Sequence, residues 1–135
     1  MTLYHLDANI VSDLVRNPDG KVASTIRERG DPVLAISIIV RCEIEFGLVQ
    51  KGNNTLRQRV EDVISEMRIV DLAAPVHEYY GRLRTELKRL GTPIGPNDLL
   101  IAAHALSLGA ILVTANEREF SRVPGLKIEN WLRAS

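Results

Sequence analysis

Three observations predict an α/β fold, with a mostly parallel sheet of about four to five strands between two layers of helices. Short β-prone runs alternate with helical stretches along the whole chain. The connections between those runs are long enough to carry crossover helices, which parallel strands require. One stretch, Gly91 to His104, reads GTPIGPNDLLIAAH and starts a helix that is apolar on almost every side. Such a helix belongs in the middle of a domain.

The elements follow in order. Thr2 to Leu6 is β-prone and ends at Asp7. Asn9 to Arg16 is a short helix stopped by Asn17-Pro18-Asp19-Gly20, and a second helical piece runs from Val22 to Arg29. Val33 to Ile36 is the second strand. Ser37 is a good N-cap for a helix over Ile38 to Gln50, and Gly52 ends that helix. Asn53 caps the next, over Asn54 to Met67. Arg68 to Leu72 is a third strand. Pro75 opens an amphipathic helix to Leu90, with Tyr79, Tyr80, Leu83 and Leu87 near its inner face. Pro96 suits the first position of the apolar helix, where a missing N–H costs nothing. Ala110 to Thr114 is the fourth strand, Asn116 to Phe120 a turn or helical turn, and Leu126 to Glu129 the last strand. With no repeat or linker, residues 1–135 are expected to form a single domain.

Seventeen basic and seventeen acidic residues balance to a formal net charge of zero, so bulk charge selects no partner. A single cysteine, Cys42, excludes an intrachain disulfide and fits a reducing cytoplasm. The amino terminus lacks a basic segment followed by a long apolar run, so no signal peptide is expected. No stretch approaches the ~20 apolar residues of a membrane span.

In open parallel sheets the functional crevice lies beyond the carboxyl ends of the strands. Asp7 ends the first strand, Asn116 follows the fourth, and Asp98 begins the helix that leads into the fourth. A lone Asp98 would be read as complementing a helix dipole. Glu43 is harder to dismiss. Its helical neighbours Ile39, Val40, Phe46 and Gly47 place a carboxylate on an apolar face, where it needs a cation, a partner or a proton. Gly47, one turn on, would admit a second backbone closely. Glu45, beside Arg41, reads as an ordinary surface charge. Carboxylates converging on one crevice repel unless something positive lies between them. Oxygen ligands without Cys or His select Mg²⁺ or Mn²⁺, which suits phosphodiester hydrolysis.

His5 reads as a core or edge residue, His77 as surface, and His104 as too far round its helix to share a face with Asp98. Ser12 and Thr114 are candidates to orient carboxylates or water. Arg82, Arg84, Lys88 and Arg118 are solvated charges by default, and phosphate contacts with RNA in the functional reading.

These segments resemble the PIN-domain family, and within it the VapC-type ribonuclease toxins. The matching motifs are LDANI (Leu6–Ile10), CEIEFG (Cys42–Gly47), GTPIGPNDLLIAAHA (Gly91–Ala105), LVTANEREF (Leu112–Phe120) and VPGLKIENW (Val123–Trp131). The resemblance implies a three-layer PIN-like domain and an Mg²⁺- or Mn²⁺-dependent endoribonuclease. Asp7, Glu43 and Asp98 would form its acidic site, with Asp7 and Asp98 as metal ligands. Asn116 stands where many relatives carry an acid, and Glu119 is the nearby candidate to supply the charge. The resemblance also implies a VapB-type antitoxin, whose arginine would suit the acidic crevice. It implies a homodimer and a toxin–antitoxin hetero-oligomer, operator DNA bound only through the antitoxin, and no membrane. Ile10 and Leu14 are expected to offer exposed apolar surface for the dimer. The GTPIGPND stretch resembles a branch that cuts initiator tRNA, which makes structured RNA, and that tRNA in particular, the candidate substrate. Two rival readings are a non-catalytic PIN-like RNA- or partner-binding module and a response-regulator-like domain with Asp71 as phosphoacceptor. The second lacks an acidic pair after the first strand and a lysine after the last.

Overall fold

A computed structural model describes residues 2–133. In chain order the elements are β1 (Tyr4–Leu6), α1 (Ala8–Arg16), α2 (Lys21–Glu28), β2 (Leu34–Ser37), α3 (Ile38–Lys51), α4 (Asn54–Ile64), β3 (Arg68–Val70), α5 (Val76–Leu90), α6 (Pro96–Ser107), β4 (Ile111–Val113), α7 (Glu117–Phe120) and β5 (Ile128–Glu129). The strands form one parallel sheet in the order β3-β2-β1-β4-β5. The chain therefore steps outward from β1 to β3, then crosses back over to β4. Right-handed crossovers place the helices of the first two connections on one face and α5 and α6 on the other. The order reverses between β1 and β4, and their carboxyl ends flank the topological switch point.

Local chemistry sets the boundaries. Ser37 ends β2 and caps α3, its Oγ accepting the Ile39 N–H at 3.1 Å. Asn53 caps α4 in the same way through the Leu56 N–H. Gly91, at φ 71°, takes the left-handed conformation that ends α5, and the Thr92 N–H turns back to the Leu87 carbonyl at 3.0 Å. Pro96 occupies the first turn of α6.

The core runs through β1, β2, β4, α1 and α6. Leu6, Ile10, Ile36, Ala102, Leu112 and Phe120 are wholly buried. His5 and His104 are buried with them, ring against ring edge-on at 5.4 Å. Both ring nitrogens of His5 lack a partner, and burial together with His104 pushes its pKa down to about 4. It is a neutral core residue, as its place in β1 predicts. His104 Nδ1 pairs with Ser37 Oγ at 2.8 Å.

Two expectations are corrected. Ile10 is fully buried and Leu14 only partly exposed, so α1 offers little apolar surface. Its apolar stripe is covered by α2, α3 and α4 packing against it. The two most exposed large apolar residues among those described lie instead on α3, where Phe46 and Val49 are each 66% accessible. Glu43 accordingly sits at the border of the apolar face, because Phe46 turns outward.

Ser37 thus supports two elements at once. Ser37→Ala should remove a helix cap and leave the buried His104 nitrogen unpaired, a combined cost of about 2 kcal/mol. Urea unfolding of both proteins checks this, and a loss below about 0.5 kcal/mol would show that the pairing is not structural.

Candidate active site

The switch point is closed by one carboxylate held from two sides. Asp7 directly follows β1 and is the N-cap of α1; its Oδ1 accepts the Ala8 N–H at 2.9 Å. Its Oδ2 accepts from the Thr114 hydroxyl, just past β4, at 2.8 Å. Thr114 is fully buried, and its Oγ1 also accepts the Asn116 N–H at 3.0 Å. The backbone adds a third tie, from the Asp7 N–H to the Val113 carbonyl at 2.9 Å. Thr114 therefore fixes the orientation of Asp7 and the start of the following loop together.

Three more carboxylates bear on the same place. Asp98 lies in the first turn of α6. A helix N-terminus would ordinarily favour its charged form. Instead its pKa is pushed up to about 7, first by burial, then by a hydrogen bond and repulsion from Glu119, then by the charges of Asp7 and Glu43. Glu119 moves the other way, held below its ordinary value by the Gly95 N–H, the Asp98 carboxyl and the Asn116 amide. The two neighbours are thus driven apart, Asp98 upward and Glu119 downward. Glu119 Oε1 accepts the Gly95 N–H at 2.7 Å, and Oε2 accepts from Asn116 Nδ2 at 3.0 Å. Asn116 thus spends its amide on Glu119. Glu43 is raised by burial and by Asp7, and its Oε1 is buried with no partner.

Glu43 and Ser12 line a cavity of about 220 Å³ between α1, α3 and α4. Gly47 lines it too, but beyond its chain neighbours and the adjacent α3 backbone no atom of the described residues lies within 4 Å of where its Cβ would stand. The close approach of a second backbone is therefore not made within the chain, because the groove is open there. Arg82 pairs with Glu78 at 3.8 Å, and Arg118 is exposed on α7. Arg84 and Lys88 lie on the α6 side of α5. Glu45 is a surface charge, bridged to Arg41 and Arg57. The contact of Glu119 with the loop before α6 is not readable from its spacing; only the fold brings α7 against Gly95.

The donor set is all oxygen, and one of those oxygens is buried and unpartnered. That chemistry fits a hard divalent cation. Among the described residues, no three acidic, His or Cys side chains close into a finished cage.

The PIN domain family matches over residues 4–126. The chain is 40% identical to Ribonuclease VapC2 of Rickettsia felis over 131 residues, covering 96% of this chain and 98% of that protein. It is 36% identical to the tRNA(fMet)-specific endonuclease VapC of Salmonella typhimurium, covering 97% and 99%. Its fold superposes on the crystal structure of VapBC2 from Rickettsia felis bound to a promoter DNA fragment with a TM-score of 0.89, at 36% identity over 96% of this chain and 99% of that one.

A carboxyl with a raised folded pKa binds its proton more tightly folded than unfolded. Asp98 therefore costs stability progressively as pH rises from its ordinary 3.8 to about 7. Asp98→Asn should be more stable than wild type by about 1 kcal/mol at neutral pH, a figure discounted for partial solvent exposure. That advantage should shrink as pH falls toward 4. Thermal unfolding in chelator across this range checks it, and a difference independent of pH would remove the coupling.

Proposed function

The chain belongs to the PIN-domain family, and on that premise we propose that it is the endoribonuclease toxin of a type II toxin–antitoxin pair. The observation that carries this reading is the acidic cluster at the β1/β4 switch point, where Asp98 is raised to about 7 by burial and by the neighbouring carboxyls of Glu119, Asp7 and Glu43. Nothing in core packing calls for four carboxylates at that spot. They are an arrangement that costs stability in exchange for function.

In this reading Asp7 and Asp98 hold Mg²⁺ or Mn²⁺, with Glu119 as the further charge in reach. Such a cation supplies Lewis-acid polarisation of a phosphoryl oxygen and acidifies water. Thr114 keeps Asp7 in one rotamer, which leaves little reorganisation at the moment of reaction. Glu43 is the general base. Its buried, unpartnered Oε1 and raised pKa suit it to take a proton from the attacking water as that water adds to phosphorus and the bond to the leaving sugar oxygen breaks. Asn116 acts through Glu119, holding it toward Asp98.

The partner is a VapB-type antitoxin, in keeping with the VapBC complexes that share the fold, and operator DNA is bound only through it. The open groove beside Ser12, Glu43 and Gly47 can receive its chain. An arginine fork can neutralise the acidic cluster. The dimer and hetero-oligomer would use Phe46 and Val49 of α3, the surface that Ile10 and Leu14 do not supply. The substrate is a structured RNA. The name of the Salmonella relative makes initiator tRNA the first to test. The site of action is the cytoplasm; no helix of the described residues is long and apolar enough to cross a membrane.

Expression of the chain without its partner should arrest growth, and sequencing of RNA ends should show new internal breaks. Asp7→Ala should abolish both. Thr114→Val, which only loosens Asp7, should lower activity by about 10- to 100-fold. Full cutting by Asp7→Ala at equal protein level would overturn the role given to Asp7, and a wild-type protein that binds RNA without cutting it, with or without Mg²⁺, would assign the chain to the non-catalytic binding class instead.

A further inference from the structure

A second feature adjoins the acidic site and is not needed for the chemistry. Between α5 and the loop leading into α6 lies a cavity of about 450 Å³, within the size range of small-molecule sites. Tyr80, Arg84 and Lys88 line it from α5, and Pro93, Ile94 and Pro96 line it from the loop. The three α5 residues are spaced four apart and fall on one helical face. Arg84 lies over the Tyr80 ring, 5.9 Å from its centroid, and its Nη1 donates to the Tyr80 hydroxyl at 2.9 Å. The aromatic face is thereby held in place beside a fixed cation.

The charges of α5 are sorted by side. Away from this face, Arg82 pairs with Glu78 and Arg89 with Glu86. On this face Arg84 and Lys88 are exposed and have no carboxylate partner among the described residues. A helix that needed only solubility would have no reason to neutralise one side and leave the other basic. A ring, apolar walls and two cations without a carboxylate partner among the described residues are the ingredients of a nucleotide platform: a base stacks on the open face of the ring, and the adjoining phosphates meet the cations.

The cavity is also tied to the acidic cluster. The Pro93 carbonyl accepts from Arg122 at 3.1 Å, and the Gly95 N–H donates to Glu119. Pro96, on the cavity wall, precedes Asp98 by two residues in the same turn. One short loop is thus the wall of the cavity and a support of the carboxylates.

We propose that this cavity is a substrate subsite that takes one unstacked base of an RNA strand on Tyr80, with its flanking phosphates on Arg84 and Lys88, and so sets which phosphodiester reaches the carboxylates. This inference rests on the endoribonuclease reading above and adds where the strand lies.

The test uses a short fluorescein-labelled single-stranded RNA, with binding measured in chelator so that nothing is cut. Tyr80→Ala should weaken binding about 5- to 100-fold, the range for losing one base–aromatic stack, while Tyr80→Phe should keep most of it. Arg84→Ala and Lys88→Ala should each weaken binding and reduce the slope of log affinity against log salt by about one contact. RNA carrying 4-thiouridine should crosslink on irradiation to Tyr80 or its cavity neighbours in the wild-type protein, a readout that does not depend on variant folding. Unchanged affinity in Tyr80→Ala, or crosslinks confined to other faces, would overturn the subsite while leaving the endonuclease in place. Loss of binding that accompanies dissociation of a dimer in light scattering would also overturn it, by assigning this face to a second copy. A wild-type protein that neither binds nor cuts any RNA would instead remove the functional reading on which the subsite rests.

Discussion

Like charges brought into one crevice must be separated, neutralised or held apart by force, and this chain does all three at the carboxyl ends of β1 and β4. Asp7 is held apart by the Thr114 hydroxyl and the Ala8 N–H. Asp98 is pushed toward its neutral form by burial and by Glu119. Glu43 approaches from a different helix and is left with an unpartnered oxygen. The rest of the molecule is built so that these groups cannot move away. The switch point of a parallel sheet is the place where two strand ends can present such groups without a covering crossover.

The core behind the site explains its rigidity. β1 is three residues long, yet it is central, with β2 and β4 on either side. Its residues are all buried, and they give way directly to Asp7. Ser37 joins the end of β2 to α3 and to His104 of α6, so the helix that carries Glu43 and the helix that carries Asp98 are tied through one hydroxyl. Phe120 is fully buried under α7 and pins the loop that carries Asn116 and Glu119. Each carboxylate thus stands at the end or first turns of an element whose other side is core. Electrostatic preorganisation of that kind requires a scaffold that does not relax when charge changes.

Much of this was legible in the sequence, for identifiable reasons. Strand and helix boundaries were marked by Ser37, Asn53, Gly52, Gly91 and Pro96, residues whose cap or turn chemistry is local. Asp7 and Asp98 were legible because they interrupt apolar runs at element ends, and Glu43 because a carboxylate had apolar neighbours. What failed depended on tertiary partners. Ile10 and Leu14 were expected at the surface because periodicity gives the apolar side of a helix and not what covers it. The mutual influence of Asp98 and Glu119 lay beyond any spacing argument, since residues 21 apart meet only after β4 and α7 are placed. The sorting of the α5 charges needed the groove itself.

The raised pKa of Asp98 gives the most direct test of whether the cluster is a cation site. A divalent cation entering there must displace the proton that Asp98 carries below about pH 7, because metal binding requires deprotonated ligands. Calorimetric titration of the wild-type protein with Mn²⁺ in buffers of different ionisation enthalpy measures the number of protons released. About one proton should leave per bound ion near pH 6, and the number should fall toward zero above about pH 8. Asp98→Asn should release none at either pH. Binding without proton release at pH 6, or equal release from the Asp98→Asn variant, would contradict a carboxylate cluster poised to exchange a proton for a metal ion.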